Sequence, residues 1–229
     1  RARCRLLETI KRKNNNSKLF AVGDDWQSIS AFTGSDIKIM TRDFEKLFGF
    51  RKTLTLDKTF RFNQTLCDIT NEFILRNKYQ LRKKVKSNIQ KNNQRIVEFH
   101  DLKIDELSSD FKNNENKEIF EKYYLFLFLN KINKHLTGNT TILTRYNYYK
   151  YIKVLKKQEI KSLLSKYKNI QWSTVTGFKG KESDNIIIDR LQSGYFGFPA
   201  EIPEDPILFL VKNFDPNEME DAEERRYFY

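Results

Sequence analysis

The chain has 229 residues and a formal net charge of +12 at pH 7, with 39% hydrophobic and 14% aromatic residues. That length and apolar content suit one or two domains with a sizeable core and exclude wholesale disorder. The sequence has no apolar run of about 18 residues, which excludes a spanning helix. We expect no signal peptide, because the basic N-terminal residues are not followed by an apolar stretch and a small-residue cleavage site. Cys4 and Cys67 are the two cysteines, which excludes a zinc ribbon and a disulfide framework. We expect a soluble, cytoplasmic protein that binds a polyanion, nucleic acid before membrane.

The charge is unevenly distributed along the chain. Residues 201–229 carry a net charge of −6, so residues 1–200 carry +18. Residues 76–95 contain eight Lys and Arg side chains and no acid. This stretch is either a solvated loop or a surface that contacts phosphates, whose neutralisation releases counterions. Composition does not decide between these two interpretations.

The first hundred residues are predicted to contain three helices and three short strands. Apolar periodicity, Asn and Gly breakers and a capping Asn63 define them. Asn63 is predicted to begin a helix that has Leu66, Ile69, Thr70 and Phe73 on one face. The other predicted elements are helices at 1–13 and 36–48 and strands at 18–22, 54–56 and 96–99.

The rest of the chain is predicted to alternate between strands and helices. The strands are predicted at 140–144, 170–175, 184–190 and 207–211, and the helices at 116–134, 147–158 and 219–229. Short apolar strands separated by helices are typical of a mostly parallel sheet in an α/β fold. In such folds, ligands bind at the carboxyl ends of the strands.

Two sequence features look like parts of a nucleotide site without having the required residues. Gly180-Lys181 is not a Walker A loop, because Val175 and Glu182 stand where that loop needs Gly and Ser or Thr. Asp189 follows an apolar strand, as a magnesium ligand would. Arg190 follows it in place of a second acid, so we expect Asp189 to be a surface residue at a strand end.

Three polar clusters follow apolar segments and carry plausible chemistry. Gln27, in a segment that begins at Gly23, could orient a water or bind a phosphate oxygen, although Asp-Asp after Gly is also ordinary turn chemistry. Phe60-Arg61 could stack on a base and clamp a phosphate, or could be a core residue beside a surface charge. The two glycines and two lysines of 174–182 suit an anion.

Taken in this order, the clusters resemble the UvrD/Rep-like branch of superfamily 1 DNA helicases, and within it the helicase IV group. The segments that carry the resemblance are Val22–Ile29 for motif III, Leu56–Asn63 for motif IV, Ile142–Asn147 for a short strand with Arg-x-Asn, Thr174–Glu182 for motif V, and Asp221–Tyr229 for the approach to motif VI. Departures from the family pattern are Ser30, Thr33 and Thr176, the last standing where motif V usually has His.

The resemblance implies roles in ATP binding and hydrolysis for five residues. Gln27 would sense the γ-phosphate, and Arg61 would be an arginine finger that stabilises charge during phosphoryl transfer. Phe60, where Tyr is usual, would stack on the adenine. Glu182 would accept a hydrogen bond from a ribose hydroxyl, and Gly180 would shape the loop that faces the nucleotide.

The resemblance also implies a set of DNA contacts. Phe32 would stack on a base, and Lys179, Thr176 and Arg145 would contact the strand. The expected partners are single-stranded and duplex DNA, with no membrane.

The implied fold is that of RecA-like, P-loop NTPase-type motor domains. Residues 1–50 would be the end of the first motor domain, and residues 51–229 would be the second, incomplete at its C-terminus. No segment matches a Walker A loop or an Asp-Glu magnesium motif. The ligands of Mg²⁺ in an ATP–Mg²⁺ site would therefore lie in a first motor domain of the same polypeptide, outside this sequence.

We therefore expect an ATP-dependent DNA helicase as the intact protein, and no ATP hydrolysis by the 229 residues alone. The alternatives are a non-catalytic, helicase-like domain that binds or regulates nucleic acid, and the motor of a helicase–nuclease.

Overall fold

The computed structural model describes residues 2–29, 36–78, 80–89, 97–100, 137–147, 169–194, 197–201 and 222–228. Within them the protein is a mixed α/β structure with small parallel sheets, and no helix is long and apolar enough to cross a membrane. Residue contacts divide the chain into two compact units, Arg1–Ile96 with Pro203–Tyr229, and Val97–Ile202. The elements predicted at 116–134 and 207–211, and all of 147–158 except Asn147, lie outside the described residues.

The two N-terminal helices form where the periodicity predicts them. α1 spans Ala2–Lys13 and ends in three basic residues, which interact favourably with the carbonyl end of the helix dipole. In the second helix, Ile39–Asp43 winds as a π-helix and continues into α2, Phe44–Phe48. Gly49 ends α2 with φ at +83°, a conformation that favours glycine. Both predicted helices are confirmed.

Helix α3 spans Gln64–Leu75 and begins as predicted, because the Asn63 side chain accepts a hydrogen bond from the Leu66 amide at 3.1 Å. Of the four residues predicted to share one face, Ile69 is exposed and the other three are partly buried. The helix buries Cys67, Asn71 and Ile74 instead.

A polar residue can lie on the buried face of α3 because its hydrogen bonds are made inside the protein. The Asn71 amide donates to the Val85 carbonyl at 2.7 Å, and its carbonyl accepts from the Val85 amide at 3.2 Å. Beside it, burial raises the pKa of the Cys67 thiol above its ordinary value, and the Asp68 carboxylate raises it further. Cys67 and Cys4 are both free thiols.

The strands predicted at 18–22, 54–56 and 96–99 are wrong wherever they fall on described residues, which have no strand there. Phe20 is 89% exposed and Leu56 is 84% exposed. An apolar run becomes a strand only when a neighbouring strand accepts and donates its backbone hydrogen bonds. In this unit that pairing occurs later in the chain, between β1, Lys58–Thr59, and β2, Lys86–Ser87, which are parallel.

The second unit contains the three-stranded parallel sheet that the alternation of strands and helices predicts. The strands are β3, Thr140–Thr144; β4, Ile170–Thr174; and β5, Asn185–Ile188, in the order β4-β3-β5. The central strand β3 is buried along its whole length. Because all three strands run in one direction, their carboxyl ends lie at one edge of the sheet.

Two short helices complete the described elements. α4, Val175–Phe178, directly follows β4 and is capped by the Thr174 hydroxyl, which accepts from the Gly177 amide at 3.0 Å. α5 spans Ala222–Phe228 and confirms the described part of the helix predicted at 219–229.

Candidate functional site

The segment that begins at Gly23 forms a tight turn in front of the candidate catalytic Gln27. A Cβ on Gly23 would lie 2.8 Å from the Met40 sulfur, so a side chain would not fit without a shift. Asp24 caps the 3₁₀ turn Asp25–Gln27 by accepting from the Trp26 amide at 3.1 Å. Its other carboxylate oxygen accepts from the Gln27 side-chain amide at 2.8 Å, which orients the exposed Gln27 side chain.

Asp25 is buried and accepts hydrogen bonds from residues of the basic stretch. One of its oxygens accepts from the Gln80 amide group and from the Leu81 backbone amide, both at 2.8 Å. The Lys83 ammonium donates to its other oxygen at 3.2 Å. Because a buried carboxylate needs charge compensation and hydrogen bonds, Asp25 fixes the 80–83 segment against the turn.

Lys83 also contacts the two neighbours of Asp25. Its ammonium donates to Asp24 and lies 4.7 Å from the centre of the buried Trp26 ring. The Trp26 indole N–H donates to the Leu81 carbonyl at 3.0 Å. This lysine of the basic stretch is therefore an internal counter-ion, and neither the solvated-loop nor the phosphate-surface interpretation describes it.

Helix α5 is joined to the same turn through two of its residues. Arg226, which is buried, donates from Nε to the Ser28 carbonyl at 2.7 Å and from its terminal nitrogen to the Gln80 side-chain oxygen at 3.1 Å. The Tyr227 hydroxyl donates to the Ile29 carbonyl at 2.7 Å. The backbone that follows Gln27 is thus held by the helix that precedes the implied motif VI.

We call Asp24, Asp25, Gln80, Lys83 and Arg226 the polar cluster. Two carboxylates and two cations make its formal charge zero. Sequence reasoning assigned no role to Gln80 or Arg226 and considered Lys83 only as part of the basic stretch, because their partners lie 55 to 198 residues away along the chain. Of these residues, Arg226 lies in the Glu-Glu-Arg-Arg run that resembles the approach to motif VI, but that run does not indicate which residues Arg226 contacts.

Phe60 and Arg61, the other candidates in the first unit, directly follow β1 and are exposed. Phe60 is 68% exposed, so it is a surface aromatic and not a core residue. The Arg61 amide donates to the Thr59 hydroxyl at 3.4 Å. An exposed aromatic ring beside an exposed guanidinium can stack on a base and bind a phosphate.

In the second unit, Arg145 and Thr176 lie at the carboxyl edge of the sheet. Arg145 follows β3, with its guanidinium 4.6 Å from the centre of the Tyr146 ring. Thr176 is exposed in α4, directly after β4. These two candidates for DNA contacts therefore lie at neighbouring strand ends, where parallel α/β sheets bind ligands.

Asp189 also lies at this edge, but the prediction that it is a surface residue is wrong. It is buried, and its amide donates to the Leu143 carbonyl at 2.9 Å, which continues the ladder between β5 and β3. The Arg190 guanidinium lies 4.0 Å from its carboxylate.

Lys179, Gly180 and Glu182 belong to the connection between β4 and β5 and are exposed. Gly180 has φ at +83°, and the turn is closed by a 2.9 Å hydrogen bond from the Lys181 amide to the Phe178 carbonyl. The next residue after Glu182, Ser183, donates to the Asn139 carbonyl at 2.9 Å, at the amino edge of the sheet. Glu182 therefore lies next to the edge opposite to that of Arg145 and Thr176.

The candidate residues divide between the two units. Gln27, Phe60 and Arg61 are in the first unit, and Arg145, Thr176, Lys179, Gly180 and Glu182 are in the second; Phe32 lies outside the described residues. In the described part of the chain, no group of three or more His, Cys, Asp and Glu side chains could hold a metal ion.

The chain is similar in sequence to a DNA helicase over almost the whole length of the chain. It is 29% identical over 233 residues to DNA helicase IV of Escherichia coli (strain K12), and the match covers 99% of this chain and 30% of that protein. No family model and no solved structure matches the chain. The comparison supports a relationship to DNA helicases, and the chain spans about 30% of the length of this relative.

Proposed function

We propose that the chain is part of an ATP-dependent DNA helicase of the UvrD/Rep-like branch of superfamily 1, which moves on single-stranded DNA and unwinds duplex DNA. The observation that carries this proposal is the match to DNA helicase IV across 99% of the chain. The helicase-like segments occur within that match in the order that the family has. The parallel sheet β4-β3-β5 is compatible with the RecA-like motor fold of that branch.

In the proposed protein, residues 1–50 end a first motor domain and residues 51–229 form most of a second. Both sides of that boundary lie in one compact unit of this structure, so the boundary stays a prediction. A first motor domain of the same polypeptide supplies the Walker A loop and the ligands of Mg²⁺. Bound Mg²⁺ neutralises charge on the phosphates during hydrolysis.

Three residues of the first unit act on ATP, which is the substrate. Phosphoryl transfer is catalysed mainly by positioning and charge stabilisation. The Arg61 guanidinium, exposed after β1, stabilises the charge on the γ-phosphate, and the exposed Phe60 ring stacks on adenine. The Asp24 carboxylate holds the Gln27 amide nitrogen, and the exposed Gln27 side chain orients the attacking water.

The second unit supplies contacts to both ligands. Arg145 and Thr176, at the carboxyl edge of the sheet, and Lys179, in the following turn, bind single-stranded DNA. Gly180 gives the turn its left-handed backbone, and Glu182 bonds the ribose. From the first unit, Phe32, which lies outside the described residues, stacks on a base, a contact worth about 1–3 kcal/mol.

The test is DNA-stimulated ATP hydrolysis by the full-length protein, for the wild type and for Arg61→Ala. Loss of an arginine finger lowers kcat by roughly 10³-fold or more. The matched control is Arg12→Ala, an exposed arginine of α1 whose contact with Glu8 at 4.0 Å is solvated; it should keep wild-type turnover.

Each outcome bears on a different part of the proposal. Wild-type turnover by Arg61→Ala contradicts the finger assignment. A wild-type protein that binds DNA without hydrolysing ATP contradicts the enzyme and supports the non-catalytic alternative. ATP hydrolysis by the pure 229-residue chain contradicts the placement of the missing ligands outside it.

A further inference from the structure

The segment that follows the polar cluster presents alternate side chains to solvent. From residue 82 to residue 87, exposed and partly buried side chains alternate with a period of two, as in an extended strand with one covered face. The exposed row is Arg82, Lys84 and Lys86, and the inward row is Lys83, Val85 and Ser87.

The inward row holds this backbone in place. Lys83 is bound to the polar cluster, and Val85 is bound through both backbone groups to the Asn71 side chain. The Ser87 hydroxyl donates to the Phe62 carbonyl at 2.6 Å, and its amide donates to the Gln64 side chain at 2.9 Å. The three exposed cations therefore project from a backbone that is fixed by side-chain hydrogen bonds.

A fourth cation extends the exposed row onto the neighbouring strand. Lys58 of β1 is the register partner of Lys86 of β2, and both side chains are exposed. Like charges on adjacent strands repel each other. Among the described residues, no carboxylate lies within 4.0 Å of Arg82 or of Lys58, Lys84 and Lys86, so no ion pair in this part of the chain offsets the repulsion.

We propose that Arg82, Lys84, Lys86 and Lys58, the basic ridge, bind the sugar-phosphate backbone of nucleic acid. Alternate side chains on an extended strand are about 6.7 Å apart. Phosphates along one strand of a duplex rise by about 3.4 Å each along the helix axis and are separated further by the helical twist, so neighbouring side chains of the ridge can contact different phosphates of one strand. The identification of the polyanion as DNA rests on the proposed function, and the ridge adds a surface outside the contacts proposed there.

The experiment measures the affinity of the 229-residue chain for fluorescein-labelled DNA by anisotropy over a range of salt concentrations. The oligonucleotides are single-stranded and duplex DNA of about 20 nucleotides, longer than the roughly 4–16 nucleotides that single-strand-binding folds cover. The ridge variant is Arg82→Gln, Lys84→Gln, Lys86→Gln. The control is Lys13→Gln, Lys18→Gln, Lys52→Gln, three exposed lysines of the same unit with the same change of charge.

The expected result is a smaller salt dependence for the ridge variant alone. Each lost phosphate contact lowers the slope of log K against log salt by about 0.7 on single-stranded DNA and about 0.9 on duplex DNA, so three contacts lower it by about 2 to 3. Because the ridge side chains are exposed, the melting temperature of the variant should stay at the wild-type value, and the control should keep the wild-type slope.

Four results would overturn the proposal. An unchanged slope in the ridge variant, with DNA binding intact in the wild type, removes the ridge and leaves the proposed function standing. If the slope falls equally in the ridge variant and the control variant, the effect comes from net charge and not from the ridge. If the ridge variant loses affinity for a fluorescent ATP analogue while the salt dependence of its DNA affinity is unchanged, the ridge binds nucleotide phosphates and not DNA. If the wild-type chain binds neither single-stranded nor duplex DNA, both the proposed role of the ridge and the proposed DNA contacts are wrong.

Discussion

In the first unit, side chains join segments that are far apart in sequence, whereas in the second unit the backbone does so. Asp25 and Gln80 are hydrogen-bonded across 55 residues, and Arg226 reaches the Ser28 carbonyl across 198. In the second unit, β3 pairs along its length with β4 and with β5 through parallel ladders. The functional candidates of the second unit follow this ladder and are mostly exposed.

This difference between the two units indicates which substitutions should change stability and which should change function without changing stability. A backbone ladder keeps its hydrogen bonds whatever the exposed side chains are. A buried polar cluster loses a partner with every substitution and leaves another group unsatisfied. We therefore expect large effects on stability in the cluster and small ones in the exposed turn after β4.

The largest expected effect is that of Asp25→Ala. Removing this carboxylate leaves the Gln80 amide and the Lys83 ammonium without their buried acceptor, so the free energy of unfolding should fall by about 3–5 kcal/mol. Urea denaturation of the 229-residue chain measures it. The control is Asp68→Ala, whose exposed carboxylate accepts from Gln64, with an expected loss below about 1 kcal/mol. Equal losses would mean that the cluster adds nothing beyond a surface contact.

Arg226→Lys should lower the free energy of unfolding by about 1.5–3 kcal/mol. A lysine keeps the charge but cannot reach the Ser28 carbonyl and the Gln80 oxygen with the fixed geometry of a guanidinium. The matched control is Arg76→Lys, an exposed arginine that pairs with Glu72, where we expect a change within about 0.5 kcal/mol. Thermal melts compare the two, and wild-type stability in Arg226→Lys would contradict the proposed link to α5.

Gly180→Ala tests the second unit and should cost about 1–2 kcal/mol. Apart from Gly180 and its two chain neighbours, no heavy atom of the described residues lies within 4 Å of a Cβ built at this glycine, so the cost comes from the backbone, whose φ of +83° disfavours a side chain. Gly180→Asn, which tolerates this conformation better, should recover part of the loss. Urea denaturation of both variants measures the difference, and a loss of about 3 kcal/mol or more would indicate a packing role.

The smallest expected effect on stability is that of Lys179→Gln, within about 0.5 kcal/mol, because the side chain is exposed. The same variant should weaken single-stranded DNA binding and lower the salt slope by about 0.7 if Lys179 contacts one phosphate. Anisotropy titrations check this expectation. Wild-type affinity would remove Lys179 from the DNA contacts while leaving the comparison of the two units intact.

Local chemistry made several elements predictable from the sequence. Residues within a few positions determine the helices at 1–13 and 36–48, the Asn63 cap and the apolar strand at 140–144. The segments at 18–22 and 54–56 have the same apolar character as a strand but are exposed and unpaired by strands among the described residues. Pairing depends on distant backbone, which an apolar run does not specify.

Lys83 and Lys84 are adjacent lysines, and the tertiary structure determines which of them is partly buried. The sequence determined that this stretch is basic and that an extended backbone sends neighbouring side chains to opposite faces. Only the fold placed Asp24 and Asp25 beside Lys83, from 59 and 58 residues away, and left Lys84 exposed. A charge can be buried only where a partner compensates its lost hydration, and that partner is supplied by tertiary structure.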